Sequence, residues 1–327
     1  MAVYTQLGAE ELAALIGEYP VGELRSAKGI AEGVSNSNWL IDTAGEAGSG
    51  TRFILTMYEF RIDITELPFF LELLDFLSLH NCPVPRTIHD RAGNLFRMIG
   101  QKAVALIEFL PGVSVTAPTP AQAHAVGQVL AQMHLATAAY PQARANGMDL
   151  AEWQRLADAC GSAGLASIAP GLDEQVTREL ARTASAWPRD LPKAVIHADL
   201  FPDNVLMLGD AVSGLIDFYF ACTDFAAYDL AVTHAAWCFD GTGTQFDPAV
   251  SAALLAGYDA VRPLTPAERA VLPVLARGAA LRFLTSRAFD WLNAPKDALM
   301  TRKDPLAFAR RLDFYADHAN AGLFDAA

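Results

Sequence analysis

The stretch "VIHADLFPDNVL", residues 195 to 206, sets His197, Asp199, Asp203 and Asn204 at the end of a short apolar run, and Asp217 follows in "LIDF". A chain optimising only its core would place none of these polar residues there. If "NVLML" and "AVSGLID" are strands joined at "GD", the hairpin from 205 to 216 returns Asp217 to the side of Asn204. A carboxylate and an amide oxygen then face one point. That donor set suits Mg²⁺, which keeps several waters and is shared with phosphate oxygens. Asp199 precedes the asparagine and is placed to accept a proton from a hydroxyl. An aspartate aligning an attacking hydroxyl, beside a metal that neutralises the transferred group, is what phosphoryl transfer requires. In the alternative, purely structural reading, Asp199 and Asp203 make turn contacts and Asn204 caps a strand. His197 reads as a hydrogen-bonding post that braces the loop.

These strand ends need a scaffold, and apolar periodicity outlines one. Residues 8 to 19 place Leu12, Leu15 and Ile16 on one helical face. "SAKGIAEGVSNSNWLIDT" and "TRFILTMYEF" read as strands around the turn "AGEAGSG". Residues 66 to 80 repeat Leu67, Phe70, Leu71, Leu74 and Leu77 at helical spacing, with Pro68 tolerated in the first turn. Further strands with a "DRAGN" turn carry the chain to Pro111 and Gly112, so residues 1–111 form a small α+β lobe. Residues 112–327 are mainly helical: a helix near 119–140 puts Val126, Val129, Leu130 and Met133 on one face, and 172–187, 247–260 and 266–292 follow. The strands "KAVIH", "NVLML" and "AVSGLID" are that lobe's β structure.

With 327 residues, 52% of them hydrophobic, the chain can bury a sizeable core. Twenty-four Lys and Arg against 37 Asp and Glu give a net charge of -13, which repels nucleic acid and anionic membranes, so any phosphate must be held locally by backbone amides or metal. Cys82, Cys160, Cys222 and Cys238 form no CxxC pair and have no histidine at finger spacing, which indicates buried thiols rather than zinc or disulfides. No signal peptide or membrane-spanning stretch is read, and the expected location is cytoplasmic. Nothing in the sequence speaks to the oligomeric state.

"HADLFPDNVL" followed by "LIDFYFACTDFAAYDLAV" resembles the aminoglycoside phosphotransferase-type kinases, small-molecule relatives of protein kinases. "GIAEGVSNSNWLIDT", "FILTMYEFR", "LPFFLELLDFL", "VPRTIHDRAG", "ALIEFLPG" and "AALRFLTSR" stand in the matching order, and together they are most similar to bacterial homoserine kinases of this type. The resemblance implies a two-lobed, protein-kinase-like α+β fold: a small antiparallel-sheet lobe that binds nucleotide and a larger, mainly helical lobe for catalysis and acceptor binding. It implies ATP and Mg²⁺, with Asp199 as the catalytic aspartate, Asn204 and Asp217 as metal ligands, and His197 and Asp229 supporting the loop. Glu108 and Leu110 match hinge positions whose backbone binds adenine. Gly33, Ser35 and Asn36 in "GVSNSN" match the bend over the phosphates, although the bend is not a full GxGxxG. One departure is Thr56, which stands where such kinases usually carry a phosphate-binding lysine. Either Lys28 or Arg61 brings the charge instead or metal and backbone amides serve the phosphates alone, and the lysine's usual acidic helix partner would be Glu66 or Glu72.

For the acceptor, the resemblance implies L-homoserine, whose side-chain hydroxyl is phosphorylated on the way to threonine. Its ammonium calls for an acid and its carboxylate for a base. The candidates are Asp224 and Asp203 for the first, and Arg282 or Arg287 for the second. Tyr219 and Trp237 are either pocket walls or core. Two alternatives stay open: the same machinery acting on another amino alcohol, a sugar alcohol or an aminoglycoside, and a non-catalytic nucleotide-binding module, for which Thr56 is the motive.

Overall fold

The computed structural model describes residues 7–30, 36–45, 51–59, 63–293, 302–320 and 322–325. The chain divides into two compact units, Met1–Pro111 and Gly112–Ala327.

In the first unit α1 (Ala9–Gly17) buries Leu12, Leu15 and Ile16, the stripe expected from spacing. Then come β1 (Leu24–Ile30), β2 (Asn36–Thr43), β3 (Thr51–Tyr58), α2 (Leu67–Leu79), β4 (Thr87–Ile88), β5 (Arg97–Ile99) and β6 (Lys102–Glu108). The sheet is antiparallel in the order β1-β2-β3-β6-β4, with β5 also paired to β6. Period-2 alternation sends Trp39, Ile41, Phe53, Leu55, Met57, Val104 and Leu106 into one core with the α1 stripe. The alternate positions share the other face. There Asn38 lies opposite Thr56, and Thr56 opposite Ala105.

The second unit holds α3 (Pro120–Thr137), α4 (Leu150–Ile168), α5 (Leu172–Ala186), β7 (Lys193–Ile196), β8 (Val205–Leu208), β9 (Ala211–Leu215), β10 (Cys222–Phe225), α6 (Ala226–Trp237), α7 (Pro248–Val261), α8 (Pro266–Asn293) and α9 (Leu306–Ala316). Helix α3 starts at a reciprocal capping box between Thr119 and Gln122. Sequence periodicity missed three helices, α4, α6 and the short α9. Helix α4 is interrupted at Gly161, whose φ of 66° is non-helical, so no single stripe runs its length. All twelve residues of α6 are buried, and a helix apolar on every side shows no period.

Helices α3 and α7 meet backbone to backbone. A Cβ at Gly127 would overlap the carbonyl oxygen of Leu254, and one at Gly257 that of His124, so neither position accepts a side chain. Cys82, Cys222 and Cys238 are buried free thiols, and Cys160 is half-buried. Among the described residues no helix is long and apolar enough to cross a membrane.

Candidate active site

The loop after β7 is held by side chains from three helices. Ala198 is buried at a φ of 63°, a left-handed conformation that costs a non-glycine residue about 1–2 kcal/mol. Asp229 of α6 clamps it: Oδ1 accepts from the Ala198 amide and Oδ2 from the His197 amide, each at 2.7 Å. Arg282 of α8 donates through Nη1 to the Ala198 carbonyl. His134 of α3 meets Asp229 Oδ2 through Nε2 at 3.0 Å, both side chains fully buried. Burial tends to raise the Asp229 carboxyl, but the His134 hydrogen bond and the two histidines outweigh it and hold the group below its usual value.

His197 donates from Nε2 to the Ile216 carbonyl at 2.9 Å and accepts the Asp199 amide at Nδ1. Burial holds its pKa below the usual histidine value, so the ring is a neutral brace. Asn204 closes a 3-10 turn, and its Nδ2 donates to the Asp199 carbonyl at 2.8 Å and to Asp199 Oδ2 at 3.3 Å. That turns the amide oxygen to the other side. The Asn204 carbonyl accepts from Ile216 N, so the β8–β9 hairpin sets Asp217 one residue beyond this contact, at a φ of 66°.

The two carboxylates are electrostatically poised. Burial raises Asp199 to about 7, with Asp217 and Asp203 adding to the rise and Arg282 and Lys303 opposing it. Asp217 is reached by solvent yet flanked by protein, which together with Asp203 lifts it to about 6 against Lys303. Negative charge is costly here without a cation. No cluster of three or more His, Cys, Asp or Glu with metal-holding geometry occurs among the described residues. Asn204 and Asp217 would offer an ion one amide oxygen and one carboxylate, a set that suits an ion completing its shell with water and phosphate.

The phosphotransferase enzyme family model matches residues 26–264. The chain belongs to this phosphotransferase family. A protein named homoserine kinase from Gluconobacter oxydans (strain 621H) is 50% identical over 317 residues, 95% of this chain and 97% of its own. One of the same name from Methylorubrum populi is 48% identical over 321 residues, 98% of each chain. Among solved structures, amicoumacin kinase hAmiN in complex with AMP-PNP, Ca²⁺ and Ami aligns with a TM-score of 0.70 at 15% identity, over 95% of this chain and 94% of its own. The kinase-like α+β fold is therefore as expected, with a small antiparallel sheet in the first unit and a mainly helical second unit.

Two acceptor candidates of this phosphotransferase are committed elsewhere. Arg282 is 2% exposed, stacked on Phe283 and bonded to the Ala198 carbonyl, so it braces the loop instead of offering a free guanidinium. Asp224 pairs with Ala194, two steps back along the β7–β10 ladder from Ile196. Its carboxylate accepts from Asn146 Nδ2 and the Phe225 amide, and it lines a separate cavity of about 350 Å³ with Trp153 and Trp187. The other two stay near Asp199. Asp203 is exposed and 3.6 Å from Lys303, and Arg287 is half-buried over the Phe308 ring. Burial and Arg311 lower Arg287 to about 10 while Asp199 and Asp203 pull it upward, so its guanidinium lies within their field. Tyr219 is half-buried, and Trp237 is core, donating to the Leu200 carbonyl.

In the first unit Gly33, Ser35 and Arg61 lie outside the described residues. Asn36 is buried with no hydrogen-bond partner for Oδ1 among the described residues, an acceptor awaiting a donor. The Glu108 amide is taken by the Arg86 carbonyl and its carboxylate by Arg86, which leaves the Glu108 carbonyl as the group to consider for a base. Leu110 is half-buried. Thr56 is buried and donates to Asn38 Oδ1 at 2.9 Å, so a neutral pair occupies the place of the lysine. Lys28 is exposed on β1, Glu72 is exposed on α2 and Glu66 is half-buried at its cap. Sequence reading missed His134 and Lys303. The first was detectable as a histidine on the buried stripe of α3, beside Met133. The second carried no signal.

Proposed function

We propose that the protein transfers the γ-phosphoryl group of ATP to the side-chain hydroxyl of L-homoserine, giving O-phospho-L-homoserine and ADP on the way to threonine. The observation that carries the acceptor is identity near one half with homoserine kinases along almost the whole chain. The reaction type is supported by the clamped loop that presents Asp199 beside Asn204 and Asp217. In this reading Asp199 accepts the proton of the hydroxyl as its oxygen attacks the γ-phosphorus, and the bond to the β–γ bridging oxygen breaks to release ADP. Asn204 and Asp217 would hold Mg²⁺, which supplies charge neutralisation on the phosphates. Asn36 would serve the phosphates through its Nδ2, and the Glu108 carbonyl and Leu110 amide would serve the adenine edge; Gly33 and Ser35, assigned to the same bend, lie outside the described residues. Of the acceptor candidates, Asp203 suits the ammonium and Arg287 the carboxylate: Asp203 is exposed with Lys303 3.6 Å away, and Arg287, which reaches the Asp304 carbonyl at 3.4 Å, lies in the field of Asp199 and Asp203. A cytoplasmic location accompanies this reading.

Coupled measurement of ADP release with ATP, Mg²⁺ and a panel of alcohols tests it. Turnover is expected with homoserine and little with choline or kanamycin. The reverse preference would overturn the acceptor, and no acceptor-dependent turnover at all would favour the non-catalytic module.

Asp217→Ala tests the metal assignment. The variant is expected to need Mg²⁺ at least about 10-fold higher for half-maximal rate, the equivalent of ~1.4 kcal/mol of lost coordination. A Mg²⁺ titration unchanged from the parent would remove Asp217 as a ligand.

A further inference from the structure

The brace on the catalytic loop does not end at Asp229. His134 Nδ1 lies 2.7 Å from the Tyr258 hydroxyl, which lies 3.2 Å from Arg262 Nη1. Arg262 Nη2 is 2.7 Å from Glu268 Oε1, and Glu268 Oε2 accepts the Thr265 amide. His134, Tyr258 and Glu268 are buried, and the Gly127 and Gly257 approach brings α3 and α7 close enough for the first of these contacts.

The donors and acceptors allow one direction. The Asp229 carboxylate only accepts, so a neutral His134 meets it with the Nε2 proton and accepts at Nδ1, and Tyr258, which accepts from Arg262, points its single proton to His134 Nδ1. Nδ1 is then an acceptor, the proton of the imidazole sits on Nε2, and Nε2 donates to Asp229. Burial pushes the Tyr258 phenol well above its usual pKa, so it keeps the proton it donates.

We propose that His134 and Tyr258 are positioning residues for phosphoryl transfer: a one-way hydrogen-bond relay runs from the Glu268–Arg262 pair at the α7–α8 turn through them to Asp229, selects the Nε2–H form of His134, and thereby holds Ala198 and Asp199 in the reactive conformation. The proposal rests on the reading of Asp199 as the catalytic residue, but the tautomer is measurable without turnover.

The ¹⁵N spectrum of histidine-labelled protein, with the His134 signals assigned by their loss in His134→Gln, is expected to show protonated Nε2 and unprotonated Nδ1. A protonated Nδ1 would overturn the relay whatever the acceptor is. In kinetics, Tyr258→Phe is expected to lower kcat about 10-fold, the factor corresponding to ~1.4 kcal/mol, with KM for ATP and homoserine nearly unchanged. His134→Leu should lose more. His134→Gln should recover most of that loss, because an amide offers an acceptor and a donor at similar spacing. If the parent turns over homoserine and His134→Leu keeps its kcat, or Leu and Gln are equally impaired, the positioning role is refuted. A parent without turnover would instead count against the proposed function, leaving the spectrum to decide the relay.

Discussion

Asp199→Asn is expected to lower the turnover of homoserine by about 10³-fold, within the 10²–10⁴ range of a lost general base, and to leave nucleotide affinity nearly intact. Asparagine has the same shape and still accepts from Asn204, but it cannot take the hydroxyl proton. The same substitution should raise the melting temperature of the unliganded protein at pH 8. The Asp199 carboxyl sits at about 7 when folded against a model value of 3.8. Between those values the folded chain holds a proton that the unfolded chain releases, so stability falls as pH rises through the window. Asparagine removes that loss, and below the window the two proteins should melt together. Steady-state kinetics and melting curves at pH 8 check both halves. Unchanged turnover would dismiss Asp199 as the base, and a lower melting temperature at pH 8 would contradict its buried, charge-crowded setting.

Asp229→Ala is expected to damage the fold as well as the rate. It strips partners from the His197 amide, the Ala198 amide and His134 Nε2, all buried. At about 1–3 kcal/mol for each of these three buried donors left unsatisfied, the loss is on the order of 3–9 kcal/mol. A typical domain has only about 5–15 kcal/mol in total. Urea unfolding followed by circular dichroism should show the midpoint falling by a large fraction, and residual folded enzyme should turn over poorly, because Asp229 is the side chain that holds both amides around the left-handed Ala198. The Asp229 carboxyl is held below its usual value, so its contribution is full above the normal carboxylate range and disappears as pH falls through its folded value. The gap between parent and variant should therefore close in acid. A loss under about 1 kcal/mol at neutral pH would mean that the clamp is not the anchor of the loop.

The candidate site was legible where its geometry is local. Asp199, Asn204 and Asp217 lie within one strand–loop–hairpin unit, where sequence spacing translates directly into position through strand pleat and hairpin register. The α1 and α2 stripes and the bounds of α5, α7 and α8 were legible for a similar reason: a helix with one buried face writes its period into the sequence. Where burial is complete the period vanishes. Arg282 lies in a stretch of α8 where Gly278 to Thr285 are all buried, and nothing in that run says which side its guanidinium takes. Asp224 looked available because it follows Asp217 closely, yet the pairing of β10 with β7 carries it away from Asp199 and into a bond with Asn146.

The sequence by itself determined which groups could do chemistry, in what local order, and that the chain had the apolar patterning for a sheet-based unit followed by a helical one. Only the tertiary structure decided which polar side chains are spent on the fold. Asp229 finds His134 95 residues away and His197 32 residues away, and Arg282 reaches the Ala198 carbonyl across 84. Such pairings follow from packing distant helices around one loop. A buried donor or acceptor must find a partner wherever that packing puts one, and the distance along the chain does not constrain the choice.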